Sequence, residues 1–236
     1  MLHINQLSVT ARNGDCSLLH PVTLTLRRGK ITGVMGESGC GKSILAHAVL
    51  GYAPEGFLIK GNIGGKPVVA LAAQSAGILD PVKTVWQHLF RWQKMEKATD
   101  TSSFALLGID RDIAASYRHQ LSGGMGKRAL LAQALVQNPE YILADEPCAG
   151  LDDASANRMY HQLRQQADNE NTGVMLITHN LRQLMRWADD ILVMKGGQVV
   201  EFTTPGKITT GVCQPYTTSL WEALPENWEA KRADAA

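Results

Sequence analysis

Cysteine is scarce in this chain of 236 residues, and Cys16, Cys40, Cys148 and Cys213 stand singly, with no C-x-x-C pair and no histidine at metal-ligand spacing. That pattern argues against a disulfide framework and a zinc site, and it fits a reducing compartment. No apolar run approaches the ~20 residues needed to cross a bilayer. The opening Met1-Leu2-His3-Ile4-Asn5 lacks the basic and apolar regions of a secretory signal. Concentrated charge is missing too: 23 Lys and Arg face 22 Asp and Glu, for a net charge of +1 without like-charge runs. Such a balance predicts no nucleic-acid partner and no direct hold on an anionic membrane. Internal repeats and low-complexity segments are also absent. The remaining composition, 44% hydrophobic and 19% charged, is that of a globular protein with ample length for a core. The expected compartment is the cytoplasm.

Against this ordinary background, one stretch is rich in glycine. Gly36 to Ser43 reads GESGCGKS, three glycines and two serines around one lysine. Glycine loses more conformational entropy on folding than other residues and brings no side chain to pack, so something other than a core must compensate. The stretch follows the apolar run Lys30–Met35, which reads as a buried strand, and precedes Ile44–Leu50, which suits a helix ending near Gly51. Strand, glycine loop and helix are the setting in which G-x-x-x-x-G-K-[ST] becomes a phosphate-binding loop. Backbone N–H groups and the positive helix end converge there, and any Cβ would obstruct a polyphosphate. Gly36, Glu37, Ser38, Gly39, Cys40 and Gly41 would form the cradle. Lys42 would reach the β- and γ-phosphates, and Ser43 would hold Mg²⁺. A bulky group on Cys40 would block the phosphates.

Around the loop, residues 1 to 35 alternate apolar and polar with turns at Gly14-Asp15 and Arg28-Gly29, which predicts antiparallel strands. Gly61 to Gln74 reads as a strand pair broken at Gly64-Gly65 and Pro67. From Pro81 the spacing of Val85, Leu89 and Trp92, then Phe104 and Leu107, turns helical, so 81–135 reads as a helical insert. Apolar runs Tyr141–Ala144, Val174–Ile177 and Ile191–Met194 follow, separated by the helical stretches Ala154–Asp168 and Leu181–Trp187. This alternation implies a parallel sheet with covered faces. The expected layout is one α/β domain. Residues 1–80 and 136–225 form its core, 81–135 a helical subdomain, and 226–236 a polar tail.

A phosphate loop needs an acidic partner for its metal, and YILADEP, Tyr141 to Pro147, supplies one. Asp145 ends an apolar strand and would hold Mg²⁺. Glu146 directly after it would act as general base on the attacking water. QLSGGMGKR, Gln120 to Arg128, presents two glycines before a helix expected to start near Met125, which makes a second anion site with Ser122 as hydroxyl donor.

Here "LSGG" resembles the signature motif of ABC-transporter ATPases, and the other family elements follow in order. Gln74 stands where the family has its Q-loop glutamine, Ala149-Gly150-Leu151-Asp152 resembles the D-loop, and His179 in LITHN resembles the switch histidine. The resemblance implies the P-loop ATPase fold of that family: a mostly parallel sheet with N-terminal antiparallel strands and an inserted helical subdomain. It implies ATP and Mg²⁺ as cofactors. Glu146, His179 and Gln74 would be catalytic, Ser43, Gln74 and Asp145 would hold the metal, and Ser122, Gly123, Gly124 and Asp152 would contact nucleotide.

SYRHQLSGGMGKRALLAQAL and the tail QPYTTSLWEALP resemble the ATPase subunits of dipeptide, oligopeptide and nickel importers. The short stretch after the Pro-Tyr-Thr segment looks most like the nickel import subunit. The family's upstream aromatic, which stacks adenine, has no counterpart in Thr10-Ala11-Arg12-Asn13-Gly14, where Arg12 could stack through its guanidinium plane.

The implied partners are a second, related ATPase in a heterodimer, two membrane permeases and, indirectly, a solute-binding protein. The chain would sit peripherally on the cytoplasmic face of the cell membrane. An exporter ATPase and a nucleotide-dependent regulatory clamp remain alternatives. A DNA-repair ATPase head would need long heptad arms and basic faces, and neither is present.

Overall fold

The computed structural model describes residues 1–89 and 107–224. The helical spacing read at Trp92 and Phe104, and the polar tail from Glu226, lie outside the described residues. The chain divides into two compact units, one of residues 1–3, 25–31 and 64–177, the other of residues 4–24, 32–63 and 178–236.

In the first unit, β5 (Val69–Ala72), β6 (Tyr141–Asp145) and β7 (Gly173–Ile177) run parallel in that order. Every residue of β6 and β7 is buried, as expected of continuous apolar runs in a sheet covered on both faces. Tyr141 lies across Gly173, where a Cβ would come within 2.5 Å of its ring. Helix α4 (Gly123–Leu135) packs on β5 and β6, burying Leu130, Leu131 and Leu135 among others. Each such leucine contributes about 1.5–3 kcal/mol of burial. The short helices α2 (Val85–Leu89) and α3 (Arg111–Ala115) pack against each other, and α2 also meets α4. Helix α5 (Asp153–Glu170) packs on β7, buries Met159, Tyr160 and Leu163, and ends at Asn171, a left-handed residue with φ 54°.

In the second unit, β1 (Leu2–Ala11) lies between β2 (Ser17–Leu26) and β4 (Phe57–Ile63), paired antiparallel with β4. Strand β3 (Ile31–Met35) runs parallel to β8 (Asp190–Lys195), which turns through Gly196-Gly197 into antiparallel β9 (Gln198–Thr203). Both glycines have positive φ, 53° and 76°, as a two-residue hairpin with right-handed strand twist demands. Helix α1 (Lys42–Val49) follows the glycine loop, α6 (Leu181–Trp187) precedes β8, and α7 (Pro205–Thr209) and α8 (Pro215–Glu222) follow β9.

Three expectations are corrected. The strands read within residues 61–74 both exist, but β4 pairs with β1 and β5 with β6, so they form no hairpin. The helix expected near Met125 begins at Gly123, because Ser122 caps it by accepting from Met125 N at 3.3 Å. The helix expected from Ile44 begins at Lys42.

A bulge shifts the β1–β4 register between Asn5 and Ser8, with Gln6 in the left-handed region at φ 51°. Opposite it, Gly61 has φ +104°, and a Cβ there would meet Gln6 O at 2.4 Å. Gly61→Ala is therefore expected to destabilise the protein by roughly 1–3 kcal/mol, read as a lower urea midpoint. An unchanged midpoint would contradict the close approach.

Candidate functional site

In the second unit, the loop from Gly36 to Gly41 is left-handed at each of its glycines, with φ of 150°, 78° and 98°. Gly36 is the tightest position: a Cβ would lie 2.1 Å from Met194 O and 2.7 Å from Cys40 Sγ. At Gly41 a Cβ would meet Leu18 O at 3.0 Å, whereas the space around Gly39 is open to 4 Å. The β8–β9 hairpin pins the loop from outside, because Gly197 N donates to Cys40 O at 3.0 Å. Gly41 caps α1 in the left-handed conformation and, as a glycine, brings no side-chain acceptor to the N–H groups of the helix's first turn. Those donors need partners, and the aligned peptide dipoles add positive charge at that end.

Lys42 is buried, 8% exposed, and its ammonium donates to Gly36 O and Glu37 O, each at 2.8 Å. Cys40 Sγ lies 3.7 Å from the same nitrogen. Ser43 stands in the first turn of α1, half-buried. His179 is exposed, directly before Asn180, whose side chain caps α6 by accepting from Gln183 N. Arg12 is exposed, with its backbone N–H donated to Gly56 O at 3.0 Å.

The carboxylates belong to the first unit. Asp145 is the last residue of β6, paired with Ile177 of β7 and only 3% exposed. Glu146 follows in the left-handed region at φ 47°, which is costly for a residue with a side chain. Its backbone is held on both sides. Glu146 N donates to Ile177 O at 2.9 Å, and Glu146 O accepts from Ala149 N and from Lys127 Nζ. Lys127 comes from α4, so the helix that begins with Ser122-Gly123-Gly124 reaches directly to the turn that bears Glu146. Burial lowers the Lys127 ammonium's pKa, opposed by the charges of Glu146, Asp145 and Cys148. Burial likewise pushes the Cys148 thiol up to about 12, despite a Tyr160 hydrogen bond that favours the thiolate.

Helix α4 also gathers the remaining residues of this unit. Gly126 lies so close to the 3₁₀ turn at Ala76–Ile78 that a Cβ would meet Ala76 Cβ at 2.8 Å. That turn follows exposed Gln74. Leu151 Cδ2 would stand 3.1 Å from a Cβ on Gly124, whereas Gly123 faces open space. Asp152 caps α5 by accepting from Ser155 N at 2.9 Å, and its hydrogen bonds with Ser155 hold its carboxyl below the usual range. Ser122, Gly123, Gly124, Leu151, Gln74, Asp145 and Glu146 are thus tied into one unit.

Sequence reading misses Lys127, Gly197 and Met194. The Gly196-Gly197 pair is a turn signal, but nothing local tells that it touches the glycine loop. Nor does anything local mark Lys127 among ordinary helix residues.

The donor chemistry fits the groups implied. A loop with three glycines at positive φ, two of them too crowded for a Cβ, opening a helix beside a buried lysine, suits a polyphosphate. Ser43 in the second unit offers a hydroxyl oxygen, and Asp145 and Gln74 in the first offer carboxylate and amide oxygens, each a hard donor of the kind Mg²⁺ takes. Among the described residues no group of three or more His, Cys, Asp and Glu stands at metal-holding distance. No helix of the described residues is long and apolar enough to cross a membrane.

Comparison with known proteins gives a concordant picture. The family model described as ABC transporter matches residues 19–149. The oligopeptide transport ATP-binding protein OppD of Lactococcus lactis subsp. cremoris is 30% identical, over 95% of this chain and 76% of that protein. The metal-staphylopine import system ATP-binding protein CntD of Staphylococcus aureus (strain Mu50) is 29% identical, over 86% of each chain. Among solved structures, the dimeric ATP-binding cassette MJ0796 in a post-hydrolysis state with ADP and Pi matches with a TM-score of 0.74. It is 21% identical and covers 87% of this chain and 99% of its own, a likeness of fold.

Burial and ionisation give a direct check on the loop and the carboxylate turn. Cys40 is 4% exposed, so an alkylating reagent has little access to it in the folded protein. At neutral pH, a maleimide is expected to label exposed Cys16 first and to spare Cys40 and Cys148 until the protein unfolds. Intact-mass and peptide analysis read the order; Cys148 labelled as fast as Cys16 would contradict its half-buried, protonated state.

Proposed function

The chain belongs to the ABC transporter family as an ATP-binding, ATP-hydrolysing subunit, and on that premise we propose that it energises import of metal chelates or small peptides. The observation that carries the site reading is the glycine loop: left-handed at three glycines, opening into an uncapped helix, with Lys42 buried against it. The substrate reading draws support from the relatives, one an oligopeptide transporter subunit and one a metal-staphylopine import subunit. Nickel is one cargo within the metal-chelate class.

In this reading the backbone N–H groups of residues 36–43 hold the phosphates of ATP. Phosphate oxygens are stronger acceptors than the carbonyls of Gly36 and Glu37, so Lys42 transfers its donors to them. Ser43, Asp145 and Gln74 would supply the protein oxygens for Mg²⁺, which when bound would neutralise charge on the transferring phosphoryl group. Glu146 orients the attacking water and takes its proton. The left-handed turn held by Ile177 and Lys127 limits where that carboxylate can go, which matters because small misplacements of a catalytic group are costly. His179 contacts the γ-phosphate.

Ser122, Gly123 and Gly124 have the character of a second anion site, an N-terminus of a thirteen-residue helix with open space at Gly123. We assign it to the nucleotide of a second ATPase subunit, with Asp152 close in sequence to the same contact. Met125 on the edge of that site makes the two composite sites unequal and favours a related but distinct partner. Two permeases in the membrane would receive the conformational work through Gln74 and the segment 81–135, and a solute-binding protein would deliver cargo to them. The chain would then sit peripherally on the cytoplasmic face of the membrane.

Glu146→Gln in the assembled complex is expected to retain ATP affinity and lose nearly all phosphate release, since an amide cannot accept the proton. Turnover close to wild type would overturn the assignment of the base. With ATP bound, light scattering on the same variant is expected to show this chain mostly monomeric alone and dimeric with its related partner. A stable, fully active homodimer would overturn the pairing and leave the ATPase assignment standing.

A further inference from the structure

The Pro-Tyr-Thr segment near the end of the described chain has no part in the chemistry above, yet several contacts build it into the second unit. Pro215 opens α8, where its fixed φ suits the first helical position. Thr217 is completely buried, and its hydroxyl donates to Glu201 Oε2 at 2.6 Å. Gln214 N donates to the same oxygen at 2.9 Å. Glu201 on β9 therefore fixes the start of the helix from two directions. The residue between Pro215 and Thr217 is Tyr216, and its hydroxyl donates to Glu37 Oε1 at 3.1 Å. Lys195 Nζ lies 4.6 Å from the centre of the Tyr216 ring, a cation–π arrangement that holds the other side of the residue. Glu37 is the second residue of the glycine loop, and its carbonyl is one of the two that hold Lys42.

A carboxylate in a loop that must receive a polyphosphate is an anomaly, since like charges at close range repel. We propose that Tyr216 is a positioning residue for the phosphate loop, tying the Glu37 carboxylate to α8 so that its charge does not oppose incoming nucleotide. The Pro-Tyr-Thr segment is then a clamp: Glu201 seats the helix, and the helix presents one hydroxyl to one loop side chain. This rests on the reading of residues 36–43 as the ATP phosphate site, and it extends that site to residues far along the chain.

The test is a double-mutant cycle on the full chain, with Mg-ATP affinity measured by calorimetry and tripolyphosphate as competitor. Tyr216→Phe keeps the ring, its packing and the Lys195 contact, and removes only the hydroxyl. It is expected to weaken ATP binding roughly three- to tenfold, the range for the net worth of one ordinary hydrogen bond, because solvent screens the exposed Glu37 charge. The loss should shrink as salt is raised, because exposed charges are screened. Glu37→Gln removes the charge, so adding Tyr216→Phe to it should cost nothing further. Tripolyphosphate should displace ATP from the wild type. If it does, and Tyr216→Phe binds as wild type or loses affinity equally in the Glu37→Gln background, the clamp is wrong and the phosphate site stands. If tripolyphosphate fails to displace ATP, the phosphate reading falls and the clamp with it.

Discussion

The carbonyl oxygen of Met194 sits where a side chain on Gly36 would have to go, 2.1 Å from an ideal Cβ. The second unit is arranged around this steric constraint. Because Gly36 has no Cβ, β3 can end directly beside β8 and the chain can turn over into the glycine loop. Gly197 then reaches Cys40 O, Leu18 crowds Gly41, and Lys42 turns back onto the loop's own carbonyls. A buried ammonium without acceptors would be expensive. The two carbonyls make its burial tolerable, and they are weak enough acceptors to be exchanged for phosphate.

The first unit solves a different problem, holding two adjacent acids at the end of a buried strand. Asp145 is fixed by the parallel register of β6 on β7, and Glu146 by a left-handed turn whose backbone is bonded at both its N–H and its carbonyl. The lysine bonded to that carbonyl comes from the helix whose own first turn is Gly123-Gly124-Met125. A movement of that helix would therefore be felt at the carboxylate turn, and the close approaches at Gly126 and Gly124 leave little room for it to move independently. This gives a local, mechanical basis for linking the proposed anion site at the head of α4 to the proposed base, Glu146.

Much of this architecture is legible in the order of the residues alone. The runs that form β3, β6, β7 and β8 are continuously apolar because both faces of a parallel sheet are covered, so periodicity finds them. The glycine loop, YILADEP and LSGG stand out through residue types whose spacing has a chemical reason. Other elements carry no such signal. β9 lies at the edge of its sheet with mostly half-exposed residues, so no apolar run marks it. The pairing of β4 with β1 depends on a partner distant in the chain, and local pattern alone makes it look like half of a hairpin. Lys127, Gly197 and Tyr216 act through contacts that only the tertiary fold creates. The start of α4 is readable from local rules: Ser122 is a strong N-cap, and two glycines after it do not prevent a helix.

The central claim is that the glycine loop cradles the phosphates of ATP with Lys42 as its charged contact. Calorimetric titration of Mg-ATP into the wild-type chain and into Lys42→Ala tests it directly. The substitution is expected to weaken binding by roughly 1.5–3 kcal/mol, the range for a charge-assisted hydrogen bond, with the fold intact by circular dichroism. Equal affinity in a folded Lys42→Ala chain would contradict it.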